Sequence, residues 1–255
     1  MPAYVDAHCH LDLLPGIHEN PLRENVGGIK TLTVTNAPYL FEPNQRLFAG
    51  CDHIRVGLGF HPEALGDPRL LAQQGQQLAL FDAQLLTARY VGEVGLDGSP
   101  AWKQMWPAQL AVLQHIATQC EQTDNKVLTV HSRRAVAEVL ALLASKRMLA
   151  QNNRLILHWF SGSARELTAA AAVGAYFSVN HRMLRSAKGQ QAVASMPQDR
   201  VLTETDAPFT LDADIQSREQ SLIETVNQLA TIWHLPHEQA RALVWENFKR
   251  VLTNK

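Results

Sequence analysis

Short apolar runs alternate with longer segments of helical periodicity along the whole chain, the signature of βα units that build a parallel sheet. The pattern predicts eight strands, at 4–8, 30–35, 54–60, 90–94, 127–131, 154–158, 175–179 and 201–205. Most are nearly continuous apolar stretches such as KVLTV and RLIL, as strands covered on both faces should be. Between them, helical spacing is clear after Pro107, a residue suited to a first helical turn. There Leu110, Leu113, Ala117 and Cys120 recur at steps of three and four. Ile223, Val226, Leu229, Ala230 and Trp233 repeat that face, and a last helix is predicted over 237–252.

Polar residues close these runs at regular distances. His10, Asn36, His61, Glu93, His131, His158, Asn180 and Asp206 each follow a strand, with successive gaps of 26, 25, 32, 38, 27, 22 and 26 residues. Each gap holds one βα unit. The implied class is α/β, and eight units close a (β/α)8 TIM barrel, whose chemistry gathers at the C-terminal strand ends. An open doubly wound sheet would instead concentrate its site at one switch point and use fewer strand ends. No internal repeat, linker-like tract or charge block interrupts the pattern, so residues 1–255 are expected to form one domain.

Composition narrows the class. With 255 residues, 46% hydrophobic and 18% charged, the chain is neither disordered nor low-complexity. Its formal net charge of -1 means that a polyanion must be held by a local basic patch or by bound cations. The three cysteines, Cys9, Cys51 and Cys120, are odd in number and scattered, which suits a reducing compartment without disulfides. The first residues lack the basic and apolar regions of a secretory signal, and no run reaches the roughly 18 apolar residues of a membrane span. A cytoplasmic protein without membrane contact is expected.

Histidine stands out, with 11 in the chain. His8 and His10 end the first strand two residues apart, on one face and about 7 Å from each other. Alone, such a pair is as readily two hydrogen-bonded core histidines as a metal grip. Further ligand-type residues at other strand ends change that balance. Glu93, in VGEVGLD, is a carboxylate in an otherwise apolar strand, costly unless paired or metal-bound. It is either one half of a salt bridge or a bridge between two cations about 3.5 to 4 Å apart. His131, His158 and Asp206 complete a set of four imidazoles and two carboxylates aimed at one barrel mouth. The mixed set suits Zn, Mn, Fe or Ni, and Mg is compatible with its carboxylates. Asp206 and Glu93 are the candidate catalytic carboxylates, since an aspartate beside an activated water can take its proton. Glu204 either orients a ligand from behind or forms a buried ion pair. His61 reads as a donor on the substrate side.

Basic residues follow two of the strand ends: Arg133 and Arg134 after His131, and His181, Arg182, Arg185 and Lys188 after the seventh strand. Beside a metal site a guanidinium forks naturally onto phosphate oxygens, and Arg133 is the first candidate. Trp159 and Phe160 either stack on a base or pack in the core.

In this order and spacing, DAHCHLD at 6–12, GFHP at 59–62, GEVGLD at 92–97, VHSRRA at 130–135, HWFSGS at 158–163 and ETDAP at 204–208 resemble the TatD family of metal-dependent deoxyribonucleases, within the amidohydrolase-like barrels. The resemblance runs from end to end. It implies a TIM barrel with two divalent metal ions (Zn, Mn or Mg), one held by His8, His10, Glu93 and Asp206, the other by Glu93, His131 and His158. It also implies hydrolysis of DNA phosphodiester bonds by metal-activated water, with His61 and Arg133 on the phosphate. Two stretches depart from the family pattern. GLDGSP at 95–100 stands where members continue as GLDYY, and TLDADIQSREQ follows Phe209 without the usual Arg-Asn-Glu-Pro. Together with LHWFSGS, the FSVN-x-x-ML run at 177–184 and TETDAPF, these resemble the QatD subgroup, implying partner proteins in an anti-phage defence system. Other readings are a metal-dependent ester or amide hydrolase, such as a D-aminoacyl-tRNA deacylase, and a non-catalytic binding subunit of a defence complex.

Overall fold

A computed structural model of the chain describes residues 2–146 and 152–253. Its strands are β1 (Tyr4–Cys9), β2 (Ile29–Val34), β3 (Ile54–Gly57), β4 (Tyr90–Gly95), β5 (Val127–His131), β6 (Arg154–Leu157), β7 (Tyr176–Val179) and β8 (Val201–Thr203). All pair in parallel, in the orders β1-β2-β3 and β4-β5-β6-β7-β8. Backbone hydrogen bonds join the two sheets at both edges. On one side Leu58 bridges Val91, and its N–H donates to Tyr90 O at 2.9 Å while Gly92 N donates back to Leu58 O at 2.8 Å. On the other side Asp206 N donates to His8 O at 2.9 Å and His10 N to Ala207 O at 2.8 Å. The eight parallel strands thus close into the expected (β/α)8 barrel.

The third strand is shorter than its sequence pattern. Beyond Gly57 the chain leaves β2 and crosses to β4, where Phe60 N donates to Glu93 O at 2.9 Å. Gly59 makes the crossing possible: a Cβ there would lie 1.7 Å from Thr35 O and 2.6 Å from Glu93 N.

Helices α1 (Phe41–Leu47), α2 (Pro68–Ala72), α3 (Gln74–Leu85), α4 (Trp106–Glu121), α5 (Val136–Ser145), α6 (Ala164–Ala172), α7 (His181–Leu184), α8 (Ala187–Ser195), α9 (Arg218–Trp233) and α10 (His237–Leu252) lie between and after the strands. The helix after Pro107 buries Leu113, Ala117 and Cys120 as its spacing predicts, together with Val112 and Ile116, while Leu110 is half-buried. In α9 the buried face is set by Leu222, Val226, Leu229, Ala230 and Trp233. Ile223 is 36% exposed, because Leu222 begins the stripe and Ile223 falls one position off it. Burying each such side chain contributes roughly 1.5–3 kcal/mol, so the stripes fix which helix face meets the barrel. No helix among the described residues is long and apolar enough to cross a membrane. Cys9, Cys51 and Cys120 are buried and free.

Candidate metal centre

Glu93 is the focus of the barrel mouth. The alternating geometry of β1 sends His8 and His10 to it together, with Nε2 atoms 3.3 and 3.2 Å from Glu93 Oε2. The other oxygen, Oε1, has His61 Nε2 at 3.1 Å, His131 Nδ1 at 2.8 Å and His158 Nε2 at 3.0 Å. Asp206 closes the ring, its Oδ1 at 3.8 Å from His8 Nε2 and 3.7 Å from His10 Nε2. All six residues of the sequence-derived ligand set therefore converge. His61, assigned from sequence to the substrate side, stands as close to Glu93 as His10 does. Glycine makes room for this convergence: at Gly95, with φ of 143°, a Cβ would lie 2.0 Å from His131 O.

Electrostatics follow from burial and crowding. Burial alone would raise the Glu93 carboxyl, but His61, His158 and His8, with a hydrogen bond from His10, hold it well below the usual carboxylate range. Burial, and then His158, push His8 down to about 4. In His158 burial is outweighed by Glu93 and Glu204, which raise it well above the ordinary histidine value. Burial pushes Asp206 up to about 7. The cluster thus favours a charged His158 and a neutral His8 and His61 around one ionised carboxylate.

This donor set fits divalent cations. Five imidazole nitrogens face two oxygens that offer about four lone-pair directions, so they cannot all be satisfied by Glu93 alone. His8 Nε2, fully buried and 3.3 Å from Glu93, has no hydrogen bond. Among the described residues four groups have ligand atoms within 4.8 Å of one another: His8, His10 and Glu93; His8, His158 and Asp206; His61, Glu93 and His131; and Glu63, Asp97 and His131. Imidazole with carboxylate is the chemistry of Zn, Mn and related ions.

Surrounding residues hold the cluster in place. His8 Nδ1 meets Thr129 Oγ1 at 2.6 Å. Glu204 is fully buried, accepts hydrogen bonds from Ser178 and from Asn180 Nδ2 (2.8 Å), and has Oε2 3.6 Å from His158 Nδ1. It lies behind His158 as a charged neighbour beyond hydrogen-bond distance, and His158 Nδ1 has no hydrogen bond. Asn180 also caps α7, accepting from Met183 N at 2.9 Å. Thr129 carried no sequence signal, since a threonine in an apolar strand reads as an ordinary β former. Asp97, at the end of GEVGLD, was likewise unassigned; its Oδ2 lies 2.9 Å from His131 Nε2.

The centre opens into a cleft of about 570 Å³ lined by His10, His61, Arg133, Trp159, Asp206 and Phe209 among others. Arg133 is exposed on its wall. Three members of the other basic cluster are engaged elsewhere: Arg182 donates to Phe209 O at 2.8 Å, Arg185 pairs with Asp212 at 2.6 Å, and His181 is buried against Ser221 at 2.8 Å. The aromatic pair divides. Trp159 faces the cleft, whereas Phe160 is 1% exposed and packs edge-on against Phe177. Trp159 (φ 38°) and Asp206 (φ 49°) hold left-handed backbone, a conformation that non-glycine residues adopt at a cost of about 1–3 kcal/mol and that clusters at functional sites.

A closed βα barrel with imidazoles and carboxylates converging at its C-terminal mouth defines a metal-dependent hydrolase class. The chain belongs to the family of TatD-related DNases, whose model matches residues 5–253. It is 31% identical over 160 residues to the 3'-5' ssDNA/RNA exonuclease TatD of Edwardsiella piscicida, a match spanning 59% of this chain and 56% of that protein. To the uncharacterized metal-dependent hydrolase YcfH of Escherichia coli K12 it is 25% identical over 269 residues, covering 97% and 94% of the two chains. The crystal structure of the TatD homologue YjjV from Escherichia coli K12 superposes with a TM-score of 0.78 at 21% identity, covering 99% of this chain and 98% of that one.

Proposed function

We propose that the chain, as a single catalytic domain over 1–255, is a divalent-metal-dependent deoxyribonuclease that hydrolyses DNA phosphodiester bonds. The observation that carries the reading is the convergence of five imidazoles on Glu93, with Asp206 beside His8 and His10, in a chain of this family. His8, His10, Glu93 and Asp206 would hold one cation, and Glu93, His131 and His158 a second. Bound there, divalent cations would supply Lewis acidity and lower the pKa of water toward a usable nucleophile.

The remaining work falls to side chains of the protein. Asp206, at the rim of the cluster, accepts the proton of the attacking water. Arg133 forks onto the scissile phosphate from the wall, and His61 donates to a phosphate oxygen from beside Glu93. Glu204 keeps His158 turned toward the centre. Phosphate charge is met locally, which a near-neutral chain requires. The name of the Edwardsiella relative makes single-stranded DNA the first substrate to test.

The narrower reading places the protein in the cytoplasm beside partner proteins of an anti-phage defence system. It rests on GLDGSP, the FSVN run, TETDAPF and the segment after Phe209, with free buried cysteines suited to a reducing compartment. Purified chain incubated with single-stranded DNA and Mg, Mn or Zn should cleave it, while Glu93→Ala and Asp206→Ala should not. Elemental analysis should return two metal equivalents per wild-type chain. Equal cleavage by all three proteins would refute the reading.

A further inference from the structure

Asp97 is outside the proposed ligand set, yet it is fully buried and both of its carboxylate oxygens are committed. Oδ1 accepts from Ser99 N at 2.7 Å, and Oδ2 faces His131 Nε2 at 2.9 Å. The amide of Asp97 donates to Gln109 Oε1 at 2.8 Å, which pins the loop after β4 to α4. The opposite ring nitrogen of His131, Nδ1, is 2.8 Å from Glu93 Oε1. A neutral imidazole carries one hydrogen, and the partner of one nitrogen decides the state of the other. A carboxylate accepts, so Asp97 holds a hydrogen on Nε2; Glu93 faces Nδ1 as a second acceptor, and a cation bound between them would take the Nδ1 lone pair while Asp97 keeps the hydrogen on Nε2.

We propose that Asp97 is a positioning residue that selects this tautomer and orientation of His131 and so completes the half of the metal centre that His131 serves. The proposal rests on the metal-centre reading above. Ser99 supplies the discriminating detail. In Asp97→Asn the side chain has a single acceptor oxygen, which the Ser99 N–H claims. The amide NH2 then faces Nε2, demands a lone pair there and drives the hydrogen to Nδ1, where a ligand must have none. The side chain keeps its shape while the ring is held in the wrong tautomer, a change known to disable catalytic histidines whose carboxylate partner becomes an amide. Glu63, Asp97 and His131 also bring ligand atoms within 4.8 Å of one another, the outline of a further cation site. Such a site would use Nε2 as a ligand while Nδ1 serves the main centre, stripping the ring of its last hydrogen. The carboxylate–imidazole hydrogen bond needs no such deprotonation.

The test uses the full chain. Zinc affinity is measured by competition with a chromogenic chelator, and imidazole 15N spectra are recorded on the zinc-loaded protein, with His131 assigned through His131→Gln. Wild type should show the His131 hydrogen on Nε2. Asp97→Asn should keep the wild-type circular dichroism and bind zinc about 10–100-fold more weakly at the affected position. The role of Asp97 is overturned by unchanged zinc affinity in Asp97→Asn, by a wild-type hydrogen on Nδ1, or by loss of a third zinc equivalent with two retained at full affinity. Should Asp97→Asn fail to fold, the wild-type spectrum decides alone. Unchanged zinc affinity in Glu93→Ala would overturn the metal centre itself, whereas loss there with unchanged affinity in Asp97→Asn overturns only the positioning role.

Discussion

Arg218, the first residue of α9, is only 3% exposed and ties three parts of the barrel together. Its Nε donates to Asp6 Oδ2 at 2.8 Å, Nη1 to Glu24 Oε2 at 2.9 Å and Nη2 to Thr31 Oγ1 at 2.6 Å. Asp6 is fully buried, and Thr205 N and Oγ1 also donate to it, each at 2.8 Å. Burial raises the Asp6 carboxyl even with the Arg218 guanidinium beside it pulling the other way. Arg218→Met keeps much of the stem and removes the cation, leaving a buried carboxylate with only the Thr205 hydrogen bonds. Breaking a buried pair from one side costs about 3–5 kcal/mol. At roughly 2–4 °C per kcal/mol for a chain of about this size, Tm should fall by about 6–20 °C in scanning calorimetry. The sign with pH follows from the raised carboxyl. A folded-state pKa above the unfolded value of about 3.9 penalises the ionised form, so the deficit is greatest at neutral and alkaline pH and narrows as pH falls toward the carboxylate range. Adding Asp6→Asn to Arg218→Met should recover part of the loss at pH 8. A single variant melting within 2 °C of wild type, by the same ~2–4 °C conversion, would refute the reasoning.

Two further outcomes follow from packing. Gly95→Ala forces a Cβ to 2.0 Å from His131 O at φ of 143°, so overpacking and backbone strain of about 1–3 kcal/mol each should lower the urea midpoint and also weaken zinc binding through His131. Normal stability and zinc binding would contradict that account. Phe160→Ala should cost about 3–5 kcal/mol by thermal melting, while Trp159→Ala should leave Tm close to wild type and raise KM for DNA. The reverse pattern would assign the two aromatics wrongly.

The spacing of strand-end polar residues made the barrel legible because each βα unit repeats the same geometric task, and His8, His10, Glu93, His131, His158 and Asp206 stand directly on those ends. What stayed hidden acts through another residue or depends on long-range pairing. Asp97 and Thr129 touch the ring nitrogens of His131 and His8, and neither spacing nor periodicity encodes such partners. The early end of β3 reflects its crossing to β4, a choice made only when Gly59 meets Thr35 and Glu93. Arg182 and Arg185 looked like phosphate-binding residues from their place in the chain, but the loop from Phe209 to Asp212 engages both. That loop belongs to the segment that departs from the family pattern. The same segment supplies Ser217, which caps α9, and Arg218, so its differences at the mouth coexist with a structural task deep in the fold.

The two sheets give the barrel mouth a mechanical meaning. His8, His10 and His61 come from the three-stranded sheet or the chain just beyond it, whereas Glu93, His131, His158 and Asp206 come from the five-stranded one. The contacts of the first group with Glu93 therefore join one sheet to the other, beside the backbone hydrogen bonds of Leu58, Phe60 and Gly92 at the β3–β4 junction. In the proposed metal centre, an ion held by His8 or His10 together with Glu93 would link the two sheets. Such a link should slow local opening of an already closed cylinder, so the amides of Leu58 and Gly92 should gain hydrogen-exchange protection when the proposed centre is loaded with zinc.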